Sequence, residues 1–117
     1  MTYDALDVIR VPFPFTDRAA RKVRPAVVLS DHAAFNAGAG HSVCAMITSA
    51  KRSVWPLDLI IEDLPAAGLH LPCLVRMKLF TLDHRLIVGK LGRFSADDAG
   101  RLWQRVGRLF PQALVGR

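Results

Sequence analysis

The chain has 117 residues, about half of them apolar, and Lys plus Arg exceed Asp plus Glu by 16 to 10. At this length the expectation is one domain, residues 1–117, with its own core and no need of disulfide staples. No apolar run reaches the roughly 20 residues that span a bilayer. Met1–Asp7 has no basic stretch ahead of an apolar one, so neither membrane insertion nor a signal peptide is expected, and the expected location is cytoplasmic.

Val8 to Phe15 is an apolar run whose prolines suit an edge strand, so residues 7–15 read as the first strand. A basic turn over 17–23 leads into residues 24–31, dense in branched residues and read as a buried second strand. Pro25 biases Arg24 towards extended backbone at the entry to that strand. His32 to Gly40 is small and Gly-rich, and reads as a loop. Ser42 to Thr48 is a third strand, and Leu57 to Glu62, entered through Trp55-Pro56, a fourth. Leu64 to Pro72 carries turn chemistry in Pro65, Gly68 and Pro72. Cys73 to Phe80 and Arg85 to Arg93 give further strands, the last bending or bulging at Gly89 and Gly92.

The period then changes. Ala99, Leu102, Trp103, Val106, Leu109 and Phe110 recur at helical spacing, with Trp103 expected in the core. Ser95 is the expected N-cap, with Asp97 and Asp98 at the positive end of the dipole and Pro111 as the stop. Short strands followed by one amphipathic helix predict a mostly β fold, a small and strongly bent sheet or barrel.

Arginine supplies twelve of the sixteen cations, and its planar fork suits bidentate phosphate contacts. The placement is uneven: Arg10, Arg18, Arg21, Lys22 and Arg24 crowd the opening hairpin, and Lys51-Arg52, Arg76 and Lys78 follow or occupy short strands. This distribution points to an anionic partner. Cys44 and Cys73 are isolated in apolar runs, with no metal-ligand spacing to any His, and read as buried thiols in a reducing compartment. The four histidines share no spacing. No cluster suggests zinc and no Gly-rich loop suggests nucleotide binding, so no cofactor is expected.

Five segments together resemble the MazF/PemK-type toxins of type II toxin–antitoxin systems. They are Asp7-Val-Ile-Arg-Val-Pro-Phe-Pro-Phe-Thr-Asp17, Arg24-Pro-Ala-Val-Val-Leu-Ser30, Met46-Ile-Thr-Ser49, Ala67-Gly-Leu69 and Val75-Arg-Met-Lys-Leu-Phe-Thr-Leu-Asp83. Lys90-Leu-Gly-Arg-Phe-Ser95 before a helix fits the same pattern. The resemblance implies an SH3-like β-barrel with a C-terminal helix, a homodimer, and a cognate antitoxin. It also implies a metal-independent endoribonuclease that cuts single-stranded RNA by 2′-hydroxyl attack, leaving a 2′,3′-cyclic phosphate and a 5′-hydroxyl.

By the same resemblance Arg24 and Thr48 match active-site positions, and Arg76 matches a catalytic arginine of the PemK branch. That branch has a carboxylate two residues later, where this chain has Lys78. The Gly-Asp opening of many members is Leu6-Asp7 here. Arg21, Lys22, Ser49, Lys51, Arg52, Trp55 and Lys78 are the expected RNA contacts, Trp55 either stacking on a base or closing the end of the barrel ahead of Pro56. Lys78 is alternatively a neutral amine base, if repulsion from Arg24 and Arg76 lowers its pKa. Asp58 could orient an arginine or form a cross-strand ion pair. The alternatives to a ribonuclease are a relative that only binds RNA or antitoxin, and a gyrase-poisoning toxin of similar fold.

Overall fold

The computed structural model describes residues 2–13, 22–51 and 54–111. Six strands, β1 (Asp7–Phe13), β2 (Lys22–Val28), β3 (His41–Ser49), β4 (Leu59–Ile60), β5 (Cys73–Asp83) and β6 (Gly89–Arg93), form one curled sheet. The order across it is β4-β5-β3-β2-β1-β6, every neighbouring pair antiparallel. Helical segments are α1 (Ala37–Ala39), α2 (Leu64–Ala67) and α3 (Ala96–Leu109). None is long and apolar enough to cross a membrane.

Strand alternation sends side chains to two faces, and each face has its own core. Val8, Val27, Ala45, Ile47 and Val75 point to the helix side, where they pack with Ala67, Leu69, Phe94 and Leu102. Ile9, Val11, Ala26, Val28, Cys44 and Leu82 point to the other side and pack with Tyr3.

β1 is an interior strand, which corrects the edge expectation for the Pro12 region. β6 pairs with β1 only over Asp7–Arg10, so Pro12 lies beyond its reach while still facing Val23 of β2. The Arg10 carbonyl turns towards β6, accepting from Val88 N at 2.9 Å. Pro12, two residues on, therefore turns its missing N–H to the same uncovered side. The β1–β6 register shifts between Val8 and Ile9, opposite Lys90 and Gly92, so the expected bulge is present. Buried Asp7 pins this edge by accepting from Lys90 Nζ at 3.2 Å and Arg93 Nη1 at 3.0 Å.

α2 joins the two ends of the curled sheet, following β4 in sequence and packing on β6. Asp63 caps it by accepting from Ala66 N at 3.1 Å, and Gly68 ends it at φ 75°. The approach to β6 is backbone on backbone. A Cβ at Gly68 would lie 2.2 Å from Leu91 O, and one at Gly92 2.4 Å from Ala66 O.

Several local expectations are corrected. His32–Asn36 is a wide helical turn running into α1, not a loop, because Asp31 accepts from Ala34 N at 2.8 Å and Gly40 closes the segment at φ 66°. His84–Leu86 is a short 3-10 turn, so the last strand starts at Gly89 rather than Arg85. The fourth strand shrinks to Leu59–Ile60.

In α3, Ser95 accepts from Asp98 N at 3.2 Å, as its cap role requires. The buried Asp98 carboxylate instead reaches Glu62 N at 3.1 Å and Asp63 N at 2.9 Å, tying the helix start to the β4–α2 loop. Trp103 is 39% exposed on the flank of the helix, outside the core expected for it. Cys44 and Cys73 are free thiols, Cys44 buried and Cys73 only partly so. Burial pushes the Cys44 thiol up to about 12, which keeps it protonated.

Candidate active site

Arg24, Thr48 and Arg76 come from three different strands and share one face of the sheet. Ala26 pairs with Met46, and the same register carried two residues further sets Thr48 across from Arg24. Arg24 pairs on its other side with Val11. Met46 pairs with Arg76, and the β4–β5 register, one residue before Leu59↔Val75, sets Asp58 across from Arg76. Two rows result, Val11–Arg24–Thr48–Leu74 and Ile9–Ala26–Met46–Arg76–Asp58. Arg24 and Arg76 are two strand spacings apart across the sheet and two residues apart along it, about 12 Å between Cα atoms.

Pro25 suits the opening of β2. Its partner Arg10 bonds to β6, so the pair is a non-hydrogen-bonded one and the Pro25 nitrogen faces β3. The β2–β3 ladder starts only at Ala26, so no pairing N–H is missed there. The strands splay beyond this point, and Arg24 and Thr48 lie at the opening.

The two arginines are held differently. The Arg24 guanidinium lies over the Phe13 ring, Cζ 5.2 Å from its centroid, and its buried Nε has no hydrogen-bond partner among the described residues. Read from sequence alone, Arg24 could alternatively form a strand-end ion pair with Asp17 or Asp31; Asp31 instead caps the helical turn. Asp17, the other, lies outside the described residues.

Arg76 is gripped by Asp58: Nε donates to Oδ1 at 3.2 Å and Nη2 to Oδ2 at 3.0 Å. Its Cζ stacks 4.9 Å from the Trp55 ring centroid. Burial raises the Asp58 carboxyl, but the Arg76 guanidinium and the Trp55 N–H outweigh it and hold it below the usual carboxylate range. The same ion pair raises Arg76 above the ordinary arginine value.

A bulge follows Arg76 directly. Met46 pairs with Arg76 but Ala45 pairs with Leu79, leaving Met77 and Lys78 as the extra residues of β5. Met77 packs into the helix-side core and Lys78 is exposed. Bulges of this kind re-aim side chains beside functional sites.

Of the other expected contacts, Lys22 alternates onto the face of Arg24 and is exposed, as are Lys51 and Trp55. Ser49 alternates to the face opposite Thr48, and its hydroxyl accepts from Lys51 N at 3.3 Å, so it is not brought to the group. Arg21 and Arg52 lie outside the described residues. Phe13, under Arg24, was not singled out from sequence; its period-two spacing from Ile9 and Val11 was the available signal.

Two clefts flank these features. One, of about 350 Å³, opens beside the β2 entry between Val23, Pro25, Leu69 and Leu91, with Arg10, Arg24 and His70 on its lining and no carboxylate among the described residues. The other, of about 370 Å³, lies at the start of α3 and is lined by Glu62, Asp63, Asp97 and Asp98, a set that repels phosphate.

A small curled β-sheet thus carries two guanidinium groups on one face, one of them with an Nε–H unpartnered among the described residues, an arrangement chemically suited to an anion. The family model described as PemK-like, MazF-like toxin of type II toxin–antitoxin system matches residues 4–110, and the chain belongs to that family. Solved structures agree on the fold. A MazE–MazF complex of Deinococcus radiodurans is 26% identical with a TM-score of 0.71, covering 93% of this chain and 96% of that one. A mycobacterial endoribonuclease in complex with its cognate antitoxin is 14% identical with a TM-score of 0.71, covering 92% and 91%. The Mycobacterium tuberculosis toxin MazF-mt6 is 16% identical with a TM-score of 0.68, covering 87% and 93%. Comparison with curated proteins gave no match.

Proposed function

We propose that this chain is a metal-independent endoribonuclease that cleaves single-stranded RNA in the cytoplasm, works as a homodimer, and is held in check by a cognate antitoxin. The observation that carries the reading is the placement of Arg24, Thr48 and Arg76 on one sheet face, with an Arg24 Nε–H that has no partner among the described residues. Family membership and the antitoxin-bound relatives support it.

In the reaction the ribose 2′-oxygen bonds to the adjacent phosphorus, the bond from phosphorus to the 5′-oxygen breaks, and a proton passes from the first oxygen to the second. No water is consumed, and the products are a 2′,3′-cyclic phosphate and a 5′-hydroxyl. Negative charge grows on the phosphoryl oxygens as the fifth bond forms. Arg24 and Arg76 stabilise that charge, which is worth most where donors are preorganised. Thr48 donates to a phosphoryl oxygen or aligns the attacking hydroxyl. Lys22, Lys51 and Lys78 hold flanking phosphates, and the exposed face of Trp55 takes a base.

The test uses antitoxin-free protein and end-labelled mixed-sequence RNA in EDTA, with Arg24→Ala beside it. Cyclic-phosphate and 5′-hydroxyl ends that vanish in the variant are the expected result. RNA left uncut across many sequences overturns the reading, and growth arrest with DNA breaks and intact RNA would point to gyrase instead. RNA affinity should fall with salt at a log–log slope of about −0.7 per phosphate contact.

A further inference from the structure

We propose that Asp58 is a positioning residue for RNA cleavage: it fixes the plane of the Arg76 guanidinium so that Arg76 meets the scissile phosphate in one orientation. The proposal rests on the ribonuclease reading above and adds a residue which that reading does not use.

A carboxylate beside a phosphate-binding arginine is electrostatically wrong for affinity. It cancels part of the local positive charge and repels the RNA backbone. Nor is stability a sufficient reason for it. The pair is largely withdrawn from water, with side chains 10% and 9% exposed, and pairs of that kind often fail to repay their desolvation. Geometry is the remaining benefit. Two parallel N–H···O bonds fix the guanidinium plane, and the Trp55 ring supports it from one side.

The clamp is itself braced. Asp58 Oδ2 also accepts from Trp55 N at 2.9 Å, and Asp58 N donates to Trp55 O at 3.3 Å. Trp55-Pro56-Leu57-Asp58 is thereby closed as a tight turn, with Pro56 second and Leu57 third at φ 66°. The third position of a turn with this backbone favours Gly or Asn. A branched side chain held there is strained, and such strain concentrates where the surrounding geometry serves a site. One turn therefore delivers the carboxylate and the supporting ring to Arg76 together.

The experiment compares wild type, Asp58→Asn and Asp58→Glu in two measurements. Affinity is read with an RNA whose scissile nucleotide is 2′-deoxy, which binds but cannot be attacked. Cleavage is read as a single-turnover rate at saturating protein. For Asp58→Asn we expect affinity equal to or tighter than wild type, because a negative charge has left a basic face, and a rate at least about 10-fold lower. Asp58→Glu should recover part of that rate. The Arg76 Nε–H resonance should be protected from exchange in wild type and Asp58→Glu, and lose protection in Asp58→Asn.

Loss of affinity in step with rate would mean Asp58 merely supports the fold, and a wild-type rate in Asp58→Asn would remove its role; either overturns the proposal. Wild-type protein that cuts no RNA overturns the ribonuclease reading and this one with it. Active wild type with an equally active Asp58→Asn overturns this one alone.

Discussion

Arg24→Met should make the protein more stable while abolishing cleavage. The native side chain buries an Nε–H with no acceptor among the described residues, and an unsatisfied buried donor costs about 1–3 kcal/mol. Stacking on Phe13 returns about 0.5–1 kcal/mol. Methionine keeps an unbranched stem and a sulfur–aromatic contact of similar size, so little of that return is lost. Arg24 is only half-buried, and solvent screening discounts the gain to about 1–2 kcal/mol. For a chain of this length that corresponds to a rise in Tm of roughly 3–8 °C. Scanning calorimetry reads the rise, and the RNA assay in EDTA should show a fall of about 10²–10³-fold, the scale for losing one charge-stabilising donor. Arg24→Lys should keep RNA affinity within a few-fold while losing most of the rate, because a point charge replaces a fork. A Tm that is unchanged or lowered in Arg24→Met would refute the reasoning, since the arginine would then be supporting the fold.

Gly92→Ala should destabilise the fold by about 2 kcal/mol or more, read as a lower urea midpoint, because its Cβ would meet the Ala66 carbonyl at 2.4 Å with backbone on both sides. Asp7→Asn should cost about 1.5–3 kcal/mol through the lost charged contacts to Lys90 and Arg93, with the same slope in urea. Burial, aided by the charge of His41, holds the His84 imidazole below its ordinary pKa of 6.5 against the opposing pull of Asp83. The unfolded chain therefore binds the proton more readily, so this contribution to stability is complete above about pH 6.5 and is lost as pH falls through the folded value. Urea midpoints should decline over that range, and His84→Gln, which does not titrate, should flatten the decline.

Much of the sheet was legible because alternation and branched residues report a pleated, buried strand directly, as in Ala26–Val28 and Ser42–Thr48. The helix was equally plain from its period and from Ser95. What periodicity hides is the partner of each face. Trp103 shares the helical spacing of Leu102 and Val106, yet a position at the flank of a stripe leaves it part-exposed. Asp98 read as a dipole partner, and only the fold brings Glu62 and Asp63 N–H groups to it. The turn over His32–Ala39 was concealed by its small residues, although Asp31 and Gly40 are an N-cap and a C-terminal stop at a suitable spacing. Pro12 misled because a proline forbids pairing on one side only, and β6 is short enough to leave that side open.

The site divides similarly. Arg24, Thr48 and Arg76 rest on the family resemblance and stand as proposals, while the row that joins Arg76 to Asp58 depends on a two-residue strand, β4, that sequence cannot register against β5. On the proposed reading the two arginines serve different physical ends. Arg76 already has its carboxylate, so phosphate must share a guanidinium whose direction is fixed, and Arg76 contributes orientation at a cost in affinity. The Arg24 Nε–H has no acceptor among the described residues, so on that reading an incoming phosphoryl oxygen relieves a standing penalty and binding there is favoured. A substrate engaging both is drawn in at Arg24 and aligned at Arg76. If that division holds, Arg24→Ala should weaken affinity for the 2′-deoxy RNA more than Arg76→Ala does. The reverse order would mean that the clamped arginine carries the binding and that Asp58 does not oppose it.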